Sequence, residues 1–252
     1  MSVFMDLNLV YSPDSSRLQN LVETAAHLGY STVAINYVYE PTAKKKQDIP
    51  TPRPIKDLIP ELPIVQGRSR PIRVLNRLTV MMSDSSHFRA AAAEYRAFDL
   101  LAVQPTTEKL FHAACMICDV DIICISVTEK LPFIFKRAPV NGATERGVVF
   151  EVSYAAALRD STRRRYTIAN STALMESCRG RNVILSSAAE TPLELRGPYD
   201  ITNLGLLFET RKTASGIIYT VQHPEAPPTK TPGDTGDPPA AKRAKPGAVI
   251  DS

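Results

Sequence analysis

Basic residues gather in three short segments of a 252-residue chain whose formal net charge is only +4. The three clusters are Arg68, Arg70, Arg73 and Arg77; Lys130, Lys136 and Arg137; and Arg163, Arg164 and Arg165. Phe133 and Phe135 accompany the second cluster, and Tyr166 follows the third. Arginine and lysine beside aromatic rings suit contacts with phosphates and stacking on unpaired bases. We expect these residues to contact RNA or a partner protein, while solvated faces and internal ion pairs explain any single cluster equally well.

The chain contains few residues that could form a catalytic metal site. A metal-dependent phosphoesterase needs several imidazoles and carboxylates at one place to hold cations and activate water. The chain has four histidines, and only His87 falls near the end of a predicted strand. We therefore expect no catalytic residue, no metal site and no cofactor. The alternative is a metal-dependent phosphoesterase of the polymerase-and-histidinol-phosphatase type that would use Asp6, Asp84, His87 and Glu190.

Strand and helix patterns alternate along the body of the chain. Short β-branched runs predict seven strands, at residues 3–10, 31–37, 77–82, 100–103, 122–127, 148–153 and 183–185. Asp14 begins a helical pattern that Gly29 ends, and Asp84 is expected to begin an alanine-rich helix. Strands separated in this way by helices favour an α/β fold, a TIM-like (β/α) barrel of seven to eight strands.

A barrel of this kind carries its functional residues at the carboxyl ends of its strands. Those positions hold Asn8, Asn36, Tyr37, Asp84, Gln104, Glu129, Ser153 and Glu190. This set contains amides, hydroxyls and carboxylates but no histidine. It therefore predicts a polar barrel mouth that lacks the ligands of a catalytic cation.

The composition changes near residue 222. Residues 1–221 contain the predicted barrel, whereas residues 222–252 contain seven prolines and no Leu, Phe or Tyr. Such a segment cannot bury enough apolar surface to offset the entropy of ordering, so we predict a disordered Pro-rich tail. Lys242, Arg243 and Lys245 lie between prolines there and resemble a short nuclear-import signal. No apolar run is long enough to span a bilayer, and we expect no membrane partner.

Several long segments resemble the thirty-kilodalton protein subunit family of nuclear ribonuclease P and RNase MRP. They are LVETAAHLGYSTVAIN, LPIVQGRSRP, VTEKLPF, DSTRRRYTI, SSAAE and LRGPYDITNLGLLF, and the resemblance runs from residue 3 to about residue 221. That family is a TIM-like barrel related to phosphoesterases whose first strand carries a metal-binding His-x-His. The matching stretch from Asp6 to Val10 contains no histidine, and the second strand ends in Asn36 and Tyr37 instead of Asp-His. The resemblance therefore implies a barrel without the metal site.

This resemblance implies a scaffold role in a ribonucleoprotein. In such a particle the RNA cleaves phosphodiester bonds with bound magnesium, in removal of the 5′ leader from precursor tRNA or in rRNA processing. The implied partners are the RNase P RNA, the RNase MRP RNA, a small ferredoxin-like protein subunit and other proteins of the particle, with precursor tRNA contacted indirectly. The implied location is the nucleus and nucleolus.

One departure from the family concerns the end of the body. Family members continue after a segment like residues 203–208 with an alanine-rich helix. Here Phe208 is followed directly by Glu209. We therefore expect this chain to lack one outer helix, which would leave apolar surface on the last strands in contact with water.

Overall fold

The computed structural model describes residues 3–41, 48–89, 92–206 and 208. Within these residues, one parallel sheet contains β1 (Met5–Val10), β2 (Thr32–Tyr39), β3 (Arg73–Met82), β4 (Leu100–Pro105), β5 (Ile122–Cys124), β6 (Val149–Ser153) and β7 (Val183–Ser186). Each strand pairs in parallel with its neighbour in the sequence. The prediction of seven strands in an α/β fold is confirmed.

Helices fill most of the connections between the strands. They are α1 (Ser15–His27), α2 (Ile55–Leu58), α3 (Glu108–Met116), α4 (Arg137–Glu145), α5 (Ala155–Arg159), α6 (Ser161–Cys178) and α7 (Pro198–Leu206). Short 3-10 turns cover Ser85–His87, Ala93–Ala97 and Pro192–Glu194. None of the helices among the described residues is long and apolar enough to cross a membrane.

The first strand-helix-strand unit shows how local sequence sets this pattern. Asp14 accepts hydrogen bonds from the backbone N–H groups of Ser16 and Arg17, so its carboxylate caps the start of α1. Leu18 and Leu21 of α1 are buried. Gly29 adopts a φ of +94°, a conformation that other residues rarely take, and the chain turns there into β2. Both the predicted cap and the predicted end of the helix are confirmed.

The sheet curls until its two edge strands meet. Leu9 in β1 forms a parallel bridge with Ala189, just past β7. The Val10 N–H donates to the Ala189 carbonyl oxygen at 3.0 Å. The Ser187 N–H donates to both carboxylate oxygens of Asp6, at 3.1 and 3.2 Å. These bonds form a seam between β1 and β7, and the fold is a nearly closed TIM-like barrel, as predicted.

The strands also enclose a small apolar cluster. It consists of the buried residues Ala102, Ile122 and Cys124, with Leu7 and Ile184 packed against them. The larger apolar core includes the buried residues of the helices and the outward faces of the strands.

The segment after Asp84 differs from the prediction. Asp84 does cap a turn, because its side chain accepts from the Ser86 N–H at 2.8 Å. The described residues then form two 3-10 turns instead of an alanine-rich α-helix. Phe88 and Tyr95 stack at 5.6 Å, and the Arg89 N–H donates to the Tyr95 hydroxyl. These aromatic contacts hold the segment in a shape that helical propensity alone does not predict.

Other predictions fall outside the described residues. They concern the Pro-rich tail at residues 222–252, the basic group Lys242, Arg243 and Lys245 within it, and the helix expected to be missing after Phe208. Phe208 itself is buried, with 1% of its surface exposed. Two residues of α7, Tyr199 and Leu206, expose 73% and 56% of their surface.

Candidate functional site

A buried ion pair lies at the centre of the barrel. Arg77 on β3 is completely buried and donates from both terminal nitrogens to the two carboxylate oxygens of Glu151 on β6, at 2.5 Å each. The same guanidinium donates to the Leu7 carbonyl oxygen at 2.6 Å. The expectation that Arg77 contacts RNA or a partner is therefore wrong, because all of its charge is directed into the barrel.

Hydrogen bonds extend this pair into a closed ring. The Arg77 Nε donates to the Thr79 hydroxyl at 3.2 Å, and that hydroxyl donates to the Asn36 Oδ1 at 2.7 Å. The Asn36 amide donates to the Asn8 Oδ1 at 2.8 Å, and the Asn8 amide donates to Glu151 at 3.2 Å. Every member of the ring is buried. The ring therefore ties β1, β2, β3 and β6 together through side chains.

The two charges of the pair stabilise each other. Burial alone would raise the pKa of Glu151, but the charge and hydrogen bonds of Arg77 outweigh it, so the pKa lies below its usual value. Burial likewise disfavours the charged form of Arg77, whereas Glu151 raises the pKa of that guanidinium above its ordinary range. Both groups are therefore ionised at neutral pH, and the pair carries no net charge.

A cavity of about 180 Å³ opens above the ion pair at the carboxyl end of the strands. Asn8 and Val10 line it, and they belong to the stretch where the resembling phosphoesterases carry His-x-His. Asn36, Gln104 and Ser153 also line it, which confirms the prediction of a polar mouth for these residues. The floor of the cavity is the ion pair of Arg77 and Glu151, and both Glu151 oxygens accept from the guanidinium instead of facing the cavity as ligands for a cation.

A second cavity of about 330 Å³ adjoins the first and shares Gln104 and Ser126 with it. Its other walls combine apolar residues, including Leu131 and Phe133, with the oppositely charged Glu129 and Lys130. The two cavities form a depression across the barrel mouth, which we call the mouth groove.

The basic clusters lie at opposite ends of the barrel. Arg68, Arg70 and Arg73 lie just before β3 or at its first residue, and therefore at the amino end of the strands. Lys130, Lys136 and Arg137 follow β5, and Arg163, Arg164 and Arg165 lie near the start of α6, which follows β6. The last two clusters therefore share the carboxyl end with the mouth groove. The structure brings these two together and separates them from the first.

These surface residues differ in their contacts. Lys136 pairs with Glu108 at 2.7 Å, and both side chains are exposed. Arg164 donates from its Nε to the Ala157 carbonyl oxygen at 2.9 Å. Within the described ranges, Arg163 and Arg165 have no carboxylate within 4 Å. Their charges are available to a phosphate or a carboxylate from another molecule.

The alternative catalytic set of Asp6, Asp84, His87 and Glu190 does not converge on one place. Asp6 is buried and accepts from the Ser187 N–H, Asp84 caps an exposed turn, and Glu190 pairs with Arg17 and Arg159 on the surface. Across residues 3–41, 48–89, 92–206 and 208, no three His, Cys, Asp or Glu side chains are grouped to hold a metal ion. Each carboxylate of this set has a structural partner instead.

Sequence reasoning missed the partner of Arg77. Glu151 is the one acidic residue in the apolar run VVFEVS, and a lone charge in a buried strand indicates a counter-charge elsewhere in the interior. That signal applies equally to Arg77 within VLNRLTV. Neither run indicates which partner it meets, because the two residues lie 74 positions apart.

Comparisons with known proteins agree on one family. The model of the RNase P subunit p30 family matches residues 3–221. The chain is 51% identical to the mouse ribonuclease P protein subunit p30 over 270 positions, which cover 97% of this chain and 99% of the mouse protein. It is 28% identical to the ribonuclease P/MRP protein subunit RPP1 of Saccharomyces cerevisiae over 230 positions, covering 86% of this chain and 78% of the yeast protein.

A solved structure shares the fold. A chain in the cryo-EM structure of archaeal ribonuclease P with mature tRNA matches with a TM-score of 0.54 at 16% identity, covering 81% of this chain and 82% of the archaeal one. The alignment with the mouse protein spans more positions than this chain has residues, so the mouse protein contains residues without a counterpart here.

Proposed function

Because the chain belongs to the RNase P subunit p30 family, we propose that it is a noncatalytic protein component of ribonuclease P and of RNase MRP. The observation that carries the proposal is the family match over residues 3–221, which include all seven strands of the sheet. Ribonuclease P removes the 5′ leader of precursor tRNA, and RNase MRP processes rRNA. In both particles the protein supports an RNA that performs the cleavage.

The barrel interior supports a role without catalysis. A metal-dependent hydrolase keeps open ligand positions for a cation and a water. In this barrel the Arg77 guanidinium occupies the floor of the mouth, and Glu151 directs both carboxylate oxygens to it. The carboxylate that could hold a cation is thus already neutralised.

RNA contact is supported by the exposed arginines at the start of α6. The positive end of the helix dipole makes the first turn of a helix an unfavourable place for cations. Arg163 and Arg164 nevertheless lie there, Arg165 follows at the start of the next turn, and all three are exposed. Exposed arginines at such a position supply positive charge that can neutralise phosphates. The other proposed contacts, to RNA or to a partner protein, are Arg68, Arg70, Arg73, Lys130, Lys136 and Arg137.

The remaining partners and the location follow from the same proposal. The protein would contact the RNase P RNA, the RNase MRP RNA and the small ferredoxin-like subunit, and would reach precursor tRNA only through the particle. It would work in the nucleus and nucleolus. Lys242, Arg243 and Lys245 are proposed as the import signal.

Affinity purification tests this function directly. The tagged full-length chain, expressed in cells of its source and recovered at physiological salt, should bring down two abundant structured RNAs and the other proteins of both particles. Sequencing identifies the RNAs, and the recovered material should remove the leader from precursor tRNA. Recovery of the chain with its protein partners but without either RNA would contradict the proposal.

A second assay tests whether the chain has phosphoesterase activity of its own. The purified chain alone should leave phosphate monoesters and diesters intact when manganese or zinc is added. Hydrolysis that stops on addition of a chelator, and that disappears in Asp84→Asn or Glu190→Gln, would favour the phosphoesterase instead.

A further inference from the structure

The mouth groove holds polar side chains that have no partner inside the described part of the protein. Gln104, Ser126, Thr128 and Ser153 line it and are half-buried. No side-chain hydrogen bond of any of these four is found within residues 3–41, 48–89, 92–206 and 208. The neighbouring Asn8 and Asn36, in contrast, are fully engaged in the ring around Arg77. The rim of the groove therefore offers free donors and acceptors above a floor that is already satisfied.

The larger cavity of the groove has the shape and surface of a small-ligand site. Its volume of about 330 Å³ lies near the lower end of the range of about 300–1,000 Å³ that is usual for ligand pockets. Leu131, Pro132 and Phe133 form an apolar wall. The Phe133 ring packs at 5.2 Å against Phe111 and at 5.9 Å against Phe135, so this wall is held rigidly. An apolar wall opposite a few polar groups suits a flat, partly polar ligand.

The charges of the groove favour an uncharged ligand. Arg77 and Glu151 neutralise each other in the floor, and Glu129 and Lys130 contribute opposite charges to the larger cavity. A free phosphate would find no net positive charge inside. Outside the groove, at the same end of the barrel, lie Lys136, Arg137 and the arginines of α6. A neutral pocket beside a basic surface matches a nucleotide that is bound as part of a strand, with its base inside and its phosphates outside.

We infer that the mouth groove binds the base of one unpaired RNA nucleotide, stacked on the wall of Leu131, Pro132 and Phe133 and hydrogen-bonded by Gln104. The side-chain amide of Gln104 carries both a donor and an acceptor, as the edge of a base requires. Ser126, which borders both cavities, adds a hydroxyl. This inference rests on the proposed function, since it names how one part of the RNA is held.

Abasic RNA separates base binding from phosphate binding. The purified full-length chain is titrated with four fluorescent RNA homohexamers, one for each base, and with an abasic hexamer that has the same phosphates. Stacking of one base contributes about 1–3 kcal/mol, so at least one homohexamer should bind about tenfold more tightly than the abasic strand. Gln104→Leu keeps the size of the side chain but removes its hydrogen bonds, so it should remove the differences in affinity among the four homohexamers while the stacking contribution remains.

Gln66→Leu is the matched control, because Gln66 is exposed in the segment before β3, at the amino end of the barrel. It should keep the full preference for bases. Equal binding of all five hexamers by the wild-type chain, or differences among the four homohexamers that survive Gln104→Leu, would overturn the inference. Either result leaves the recovery of the two particle RNAs by affinity purification unaffected. Free nucleosides serve as competitors: a nucleoside that binds more tightly than every hexamer would also overturn the assignment to RNA.

Discussion

Arg77 and Glu151 carry opposite charges inside the barrel. Among the described residues, neither forms an ion pair with any other residue. Removing one partner leaves an uncompensated buried charge, which typically costs about 3–5 kcal/mol. Arg77→Met should therefore lower the free energy of unfolding by about this amount in urea titrations. Arg77→Met combined with Glu151→Leu should recover part of the loss, because no charge then remains buried.

Lys136→Met provides the control for this pair. It breaks the ion pair with Glu108, in which both side chains are exposed, so the free energy of unfolding should stay nearly unchanged. If Arg77→Met proved as mild as Lys136→Met, the ring of hydrogen bonds would not stabilise the barrel.

Asp6 makes the seam sensitive to pH. Burial raises the pKa of Asp6 from 3.8 to about 6, although the hydrogen bonds from Ser187 act in the opposite direction. The folded protein then holds the proton more tightly than the unfolded chain, so the free energy of unfolding falls as pH rises from about 4 to about 6. This contribution amounts to at most about 3 kcal/mol. Urea unfolding at several pH values measures it.

Asp6→Asn should remove this fall, because the amide oxygen still accepts from the Ser187 N–H but carries no charge. The difference in unfolding free energy between the variant and the wild type should grow in favour of the variant as pH increases. Parallel pH profiles for the two proteins would show that the Asp6 carboxyl titrates as in the unfolded chain.

At the scale of single elements, α6 presents the third basic cluster. Asp160 caps this helix by accepting from the Arg163 N–H at 2.8 Å, which fixes the turn that carries the arginines. Charge reversal of Arg163, Arg164 and Arg165 to Glu should weaken RNA binding and make it less sensitive to salt. The slope of the logarithm of the binding constant against the logarithm of the salt concentration should become shallower by about one unit for each phosphate contact that is lost. Dissociation constants measured across a series of salt concentrations test this.

Charge reversal of Arg68, Arg70 and Arg73 is the matched comparison at the other end of the barrel. The two variants together show which end faces the RNA. An unchanged salt slope after reversal on α6 would assign those arginines to a protein partner. Circular dichroism should show α6 intact in the variant, since acidic residues are favoured in a first turn.

The elements were largely predictable because their signals are local. Each strand is a short β-branched run, and Asp14 and Gly29 delimit α1 through contacts and backbone angles within a few residues. The helix predicted after Asp84 is wrong for the described residues, which form two 3-10 turns, and Phe88 stacks there on Tyr95, a contact that helical propensity does not report. The lone charge of Arg77 in an apolar strand was a signal for an interior partner. The identity of that partner was not predictable, because Glu151 lies 74 positions away in the sequence.

At the scale of the whole molecule, the barrel has a weak line along the seam. β2 and β3 pair along all of β2, from Thr32 to Tyr39. Between β1 and β7, the Val10 N–H bond to Ala189 and the Asp6 bonds to Ser187 hold the two edges together. The amide hydrogens of Val10 and Ser187 should therefore exchange with solvent faster than that of Leu78 in β3.

Native-state hydrogen exchange followed by NMR measures these rates residue by residue. Protection of Val10 equal to that of Leu78 would mean that the barrel opens only by global unfolding. Asp6→Ala should accelerate exchange along the seam most strongly, because it removes the acceptor for the Ser187 N–H.

The separation of the basic clusters has a geometric consequence. Arg70 and Arg73 lie at one end of a rigid barrel and Arg163 and Arg165 at the other, with the whole length of the strands between them. One short stretch of nucleic acid cannot touch both ends at once unless it passes along the outer side. A large folded RNA that contacts both ends would do so with two separate segments. The barrel would then keep those two segments apart by a distance that the length of its strands sets.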